Sequence, residues 1–512
     1  MKINAKKIII VFSFLAIFVC GFTSCKKNNE NPYSHRISYW VAPPSMQTYT
    51  NFGETPLAQE VMKKFDCQIE YKHPAAGQAD EKFNIMIAMG NLPDIIEYNW
   101  AAKYNGNAEK AISDGLIQEI DIREDAPNLA AYIDKNPELD KLIKTDSGKY
   151  YGYPFIRSDE YLQVSAGLIV REDWLDDLGM SYPETIDDWT AMLTAFRDKK
   201  GARAPLTIGG NIFEYGCFVG AFGISNGLYL DNGIVKFGPA EDRYKDFLAL
   251  MNYWYSQGLL DNDYVAADSV GMQSNILNGV SGATFGSCGS GIGKWMAAKP
   301  DDKFSLVGVK YPVLERGSKP QFGQYQFPVP GTCAAITRDC TDRELCEKIL
   351  DYGYTDEGRM LFNFGIEGES YNMIKGYPTY TDKIVNNSEG LSMMHAMEPY
   401  TLSYAEGPFV QDKRYMEQYA NLPQQKIALE NWMYTDAGNH AMPVISLTSE
   451  QRNEIAPLLE NIDTYRKEMQ AKFIMGIVPI EAFDDFRKEL YARGLDKYVE
   501  YHQQAYRRFL ER

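Results

Sequence analysis

The chain has 512 residues, of which 45% are hydrophobic and 24% charged, and a formal charge of −17. That length is more than one hydrophobic core fills and implies two or three domains of ordinary globular composition. The negative balance excludes nucleic acid as a general partner, because phosphates would be repelled. The five histidines are scattered without i, i+4 pairs, which argues against metal chemistry and for no cofactor.

Taken in order, the chain opens with Lys2, Lys6 and Lys7, an apolar run over 8–22, and Cys25 after two small polar residues. A basic start, a short apolar run and a small-residue site form an export signal. The run is too short to span a bilayer, which takes about 20 residues. Phe22-Thr-Ser-Cys25 resembles a bacterial lipoprotein box, in which the cysteine becomes the lipidated first residue. Residues 1–24 are then the signal peptide and 25–35 a lipidated tether to the outer face of the cell membrane. Loss of 1–24 removes three lysines and no acid, taking the charge from −17 to −20.

Residues 35–42 alternate like a strand, 55–65 carry helical spacing behind a first-turn proline, and 67–71 form a second strand. A helix follows over 80–89, with Asp80 as its cap and Gly90 as its stop, then a third strand over 92–97. Strands alternating with ten-residue helices predict a parallel sheet with crossover helices. In such sheets ligands bind beyond the carboxyl ends of the strands. There lie Glu97, Asn99 and Trp100: a carboxylate, an amide and an indole, suited to a polar ring-shaped ligand.

Further on, Thr185 caps a helix whose apolar face includes Trp189, Met192, Leu193 and Phe196. The glycine-rich stretch 279–293 lacks the Gly-Lys-Ser/Thr ending of a phosphate loop and reads as a strand turning into a helix at Trp295. Long amphipathic helices over 448–473 and 479–510 close the chain. Six cysteines follow Cys25: Cys67, Cys217, Cys288, Cys333, Cys340 and Cys346. The last three fit no zinc spacing, so a disulfide among them and buried free thiols are both open.

The order of several motifs resembles the extracellular solute-binding proteins of carbohydrate ABC transporters, in particular the large lipoprotein branch. The matching pieces include Gly90-Asn-Leu-Pro-Asp-Ile-Ile-Glu97, Gly148-Lys-Tyr-Tyr-Gly-Tyr-Pro-Phe155 and Gly167-Leu-Ile-Val-Arg-Glu-Asp-Trp-Leu-Asp-Asp-Leu-Gly179. Pro183-Glu-Thr-Ile-Asp-Asp-Trp-Thr-Ala-Met-Leu193, Tyr354-Thr-Asp-Glu-Gly358 and Asn363-Phe-Gly-Ile-Glu-Gly-Glu369 follow in the family's order. The resemblance implies an α/β fold of two lobes, the type II periplasmic-binding-protein arrangement, each lobe a mostly parallel sheet flanked by helices, with a helical C-terminus. Lobe 1 is expected over 36–158 plus 332–395 and lobe 2 over 163–328 plus 396–512. Hinge crossings fall at 157–165 and 327–333. Some members carry a calcium loop after the Thr185 helix; residues 197–205 hold one acid and four bases, so no such site is expected.

The resemblance also implies a monomer that takes a small carbohydrate, an oligosaccharide above all, and hands it to ABC permease subunits. An aromatic content of 13% suits this, since aromatic faces stack on sugar rings. The candidate contacts are Trp40, Glu97, Asn99, Trp100, Phe155, Arg157, Phe213, Glu214, Tyr215, Trp295, Tyr325 and Glu367. The competing reading is a secreted glycan hydrolase or lyase using Glu97 and Glu367 as paired carboxylates. No nucleophile elbow and no marked Cys/His pair accompanies them, and the receptor is favoured over the enzyme.

Overall fold

The computed structural model describes residues 32–43, 46–298 and 301–512. The export segment, Cys25 and most of the tether lie outside them. In chain order the strands are β1 (His35–Val41), β2 (Cys67–Lys72), β3 (Ile95–Tyr98), β4 (Tyr153–Pro154), β5 (Ile156–Arg157), β6 (Ala166–Arg171) and β7 (Leu206–Thr207). There follow β8 (Leu228–Asp231), β9 (Ile234–Phe237), β10 (Ala283–Ser287), β11 (Leu306–Gly308), β12 (Cys333–Ile336), β13 (Tyr371–Ile374), β14 (Tyr377–Tyr380) and β15 (Val410–Gln411).

Two main sheets carry the fold. The first orders its strands β2-β1-β3-β12-β4 and the second β11-β6-β10-β7. The predicted strand–helix–strand run at the start is present: β2 and β3 both pair parallel to β1. The expectation of mostly parallel sheets needs correcting. β12 runs antiparallel to β3 and to β4, and β6 runs antiparallel to β10 and to β11. The reason is connectivity: β12 enters the first sheet from the distant 327–333 segment, so no crossover helix forces it to run with β3.

Local chemistry sets the element ends. Thr55 accepts from the Ala58 amide at the start of helix Pro56–Phe65, and Thr185 and Asp188 form a reciprocal box that starts helix Ile186–Lys200. Gly90, in the left-handed region, stops helix Ala79–Met89 as predicted, but that helix begins at Gln78, so Asp80 sits in the first turn instead of capping it. Past β10 the chain winds through a π-helical turn, Cys288–Gly293, into helix Lys294–Ala297. At 197–205, Arg197 holds Asp198 at 2.7 Å.

The apolar residues collect by sheet. Ile37, Leu57, Ile95, Phe155, Ile336 and Leu350 pack around the first sheet. A larger cluster, with Leu168, Trp189, Trp254, Leu306 and Trp432, surrounds the second. Phe364, Tyr371, Tyr380 and Ile384 join the larger cluster, whereas Phe409 and Val410 join the first. The C-terminal helices Ser449–Ile474, Phe483–Ala492 and Leu495–Glu511 place Ile462, Phe473, Phe486 and Tyr498 in the larger cluster. They also reach segments that flank the first sheet. Arg508 and Arg512 pair with Asp146 at 2.9 and 2.7 Å, and Arg452 donates to the Ala102 carbonyl at 2.9 Å.

All six described cysteines are free, and the Cys340 and Cys346 sulfurs lie 3.5 Å apart. Among the described residues no helix is long and apolar enough to cross a membrane.

Candidate ligand-binding cavity

A cavity of about 510 Å³ opens at the carboxyl ends of β1 and β3, within the usual range of small-molecule sites of about 300–1,000 Å³. Behind it lie apolar residues of the 49–61 and 349–362 stretches, among them Phe52 and Leu350, and its polar wall draws on three places. The first sheet gives Tyr39, Tyr71, Glu97 and Tyr98; the 157–165 and 326–332 segments give Arg157, Ser165 and Gln326; the 402–416 segment gives Leu402, Tyr404, Glu406, Gln411 and Tyr415. Those crossing segments are tied to each other: the Arg157 amide donates to the Pro328 carbonyl at 2.8 Å and Gln326 donates to the Gln163 carbonyl at 2.9 Å.

Glu97 is its central polar group. Strand β3 buries it, 7% exposed, opposite Val41 of β1 and Ala334 of β12. The Tyr39 hydroxyl donates to its Oε2 at 2.6 Å, and among the described residues no cation pairs with it. Burial therefore pushes the carboxyl up to about 7; the Tyr39 bond opposes this and nearby Glu406 adds to it. Tyr39 stacks on Tyr71 at 5.3 Å, and Tyr71 meets Phe52 edge-on at 5.0 Å, giving the carboxylate an aromatic floor.

Arg157 is held from several sides. Its guanidinium lies over the Phe155 ring at 5.0 Å, donates to the Phe327 carbonyl at 3.2 Å, and faces Glu406 at 3.5 Å. Burial lowers its pKa from the ordinary arginine value. In the β5–β15 pair, Arg157 is the register partner of Gln411. The Gln411 side chain donates to the Ser403 carbonyl at 2.6 Å, which leaves its Oε1 buried with no hydrogen-bond partner.

Of the twelve candidates, Glu97 and Arg157 line this cavity and the others do not. Trp40 and Trp100 are core residues. Strand alternation turns Trp40 away from Tyr39 and against Phe83 and Tyr98, and Trp100, fully buried, donates to the Ile96 carbonyl at 3.2 Å. Asn99 caps helix Trp100–Lys103 through a 3.0 Å bond from the Ala102 amide. Phe155 is buried beneath Arg157, which it supports.

On the second sheet's side, Phe213 packs on Phe247, and Trp295 is buried against Gly286 of β10. Glu214 is bound to Arg466 at 2.8 Å and accepts from Asn226 at 2.9 Å. Tyr215 lies flat on Phe285 at 5.4 Å and is 41% exposed. Tyr325 packs on Phe327 and Gly438. Glu367 is exposed in the turn before β13, so the pair Glu97 and Glu367 does not share the cavity.

Sequence reasoning passed over Tyr39, Tyr71, Tyr404, Glu406 and Gln411. Tyr39 was open to it, because an alternating strand that ends at a site must present one aromatic there. The 402–412 stretch offered an acid, an amide and aromatics around Gly407-Pro408, the composition of a binding loop.

No family model matches the chain. It is 24% identical to lipoprotein LipO of Bacillus subtilis (strain 168), with 95% of each chain covered. It is 25% identical to the fructooligosaccharide ABC transporter substrate-binding protein FusA of Streptococcus pneumoniae, over 89% of this chain and 87% of that one. The solved structure of alginate-binding protein AlgQ2 without calcium superposes with a TM-score of 0.73 at 23% identity, over 93% of this chain and 98% of that one. The fold is that of the two-lobed solute-binding proteins. The cavity, lined in part by the 157–165 and 326–332 segments, holds Glu97 and Arg157.

Proposed function

We propose that the chain is the solute-capturing component of a carbohydrate ABC importer. It binds a saccharide, most simply an oligosaccharide, without reacting it. The observation that carries this is the cavity itself: aromatic floor, a buried carboxylate with no counter-cation among the described residues, an arginine, and walls drawn from the first sheet and both crossings. The similarity to FusA and the shared fold support it. One lobe is built on the first sheet and the other on the second, and 157–165 with 327–333 absorb the rotation between them. A ligand touched from both sides favours the closed form, so binding and closure are linked. The closed form is what the permease would read. Export and lipidation at Cys25 would tether a monomer to the outer face of the membrane, a reading the similarity to LipO supports.

The test is a thermal-shift screen against saccharides, followed by product analysis of the hits. A concentration-dependent rise in Tm with every glycosidic bond intact is expected. Cleaved sugar would replace this reading with the hydrolase or lyase. X-ray scattering with and without a hit should show a smaller radius of gyration in the bound state; equal radii would remove hinge closure.

A further inference from the structure

Resting on that reading of the cavity, we propose that it selects by charge: it accepts an uncharged glycosyl unit through that unit's hydroxyl protons and refuses carboxylated sugars. The argument is an inventory of what a ligand would meet. Besides tyrosines, three residues of the wall are ionisable, Glu97, Arg157 and Glu406, and Glu97, pushed up to about 7 by burial, is fully charged above that pH. Arg157 is the single cation, and it is already engaged by Glu406 at 3.5 Å and the Phe327 carbonyl at 3.2 Å. Glu97 has one donor, the Tyr39 hydroxyl, on Oε2.

The site thus brings together two carboxyls and one cation, and that cation is already engaged. A buried carboxylate with a single donor favours a ligand that brings O–H groups, because a buried acceptor left unpaired costs free energy that a hydroxyl recovers. A uronate brings the opposite. Its carboxylate would enter a low-dielectric space next to two others, where like charges repel strongly, and could be neutralised only by taking Arg157 from Glu406. Tyr39, Tyr71 and Phe52 add apolar faces that suit the C–H face of a pyranose and offer nothing to a carboxylate. A ligand lacking hydroxyl donors is disfavoured for the complementary reason, since the Glu97 carboxylate would keep the Tyr39 hydroxyl as its one donor.

The experiment is a calorimetric titration of the full chain, at pH 8 and one ionic strength, with size-matched trisaccharides: raffinose, kestose and maltotriose against trigalacturonate and trimannuronate. At least one neutral sugar should bind at least 100-fold more tightly than either uronate. Glu97→Gln should weaken that neutral ligand about tenfold or more and narrow the neutral-to-uronate ratio. Circular dichroism melts establish that the variant is folded. If a uronate binds as tightly as the neutral sugars, or Glu97→Gln leaves the ratio unmoved, charge selection is overturned while sugar capture stands. If neither class binds, both readings fall together.

Discussion

Two glutamates end up in opposite employment. Glu97, past the third strand of the first sheet, and Glu214, beside the second, are both acids among aromatics. Glu214 is bound by Arg466 and Asn226, and Arg466 is itself buried and bonded to Asp463. That carboxylate is committed to joining the C-terminal helix Ser449–Ile474 to the 210–226 segment. Glu97 has a tyrosine and, among the described residues, no cation, and burial raises its pKa. A carboxylate that holds a fold together is paired; one kept buried without a counter-charge costs stability and is retained for another reason. The two sites teach that the counter-ion, more than the aromatic surroundings, separates a structural acid from a binding one.

Substitutions can break that contrast. The largest effect should come from Trp100→Ala, which empties a fully buried indole and should cost about 3–5 kcal/mol in urea unfolding. Trp100→Phe should keep most of that stability and leave ligand affinity unchanged; a tenfold loss of affinity would return Trp100 to the site. Next is Glu97→Gln, with the opposite sign. The folded carboxyl is pushed up to about 7 from an ordinary 4.5, so the folded state binds the proton more tightly. Stability is then full below pH 4.5, declines as pH rises toward 7, and stays reduced above it. Glu97→Gln should abolish that decline and gain up to about 3 kcal/mol at pH 8, with none at pH 4.5. A pH-independent difference would show that the carboxyl is not desolvated.

Arg466→Met tests the other side of the contrast and should destabilise. Because Glu214 and Asp463 are each 39% exposed, the loss should be about 2–3 kcal/mol, below the 3–5 of a fully enclosed pair. Binding by the folded fraction should not change. Smallest is Asp146→Asn, which removes one carboxylate from Arg508 and Arg512 and should lower stability by about 1 kcal/mol, readable in a melt at low salt.

The β–α–β start and the position of Glu97 were legible because both follow from short-range patterns: strand alternation, helix spacing, and the rule that ligands sit past strand ends. The faces were harder. Trp40 and Trp100 flank the correct place in the chain, yet one turns to the far side of β1 and the other plugs the sheet from behind, and strands of four to seven residues give little pattern to assign a face. Antiparallel β12 and the Gln411 wall were invisible for another reason. Gln411 reaches the site by pairing with Arg157 across some 250 residues of chain, and no local signal encodes such a partner.

The Asp146 contacts have a consequence of their own. The terminal helix packs with the second sheet's core while its arginines grip a turn near the first, so any swing of one sheet against the other must strain these ion pairs or carry them along. Partly exposed pairs are screened over about 10 Å at 0.1 M salt. On the reading above, dissolved salt then becomes a brake adjustment on the clamp, shifting how readily it shuts on a guest that is itself electrically silent.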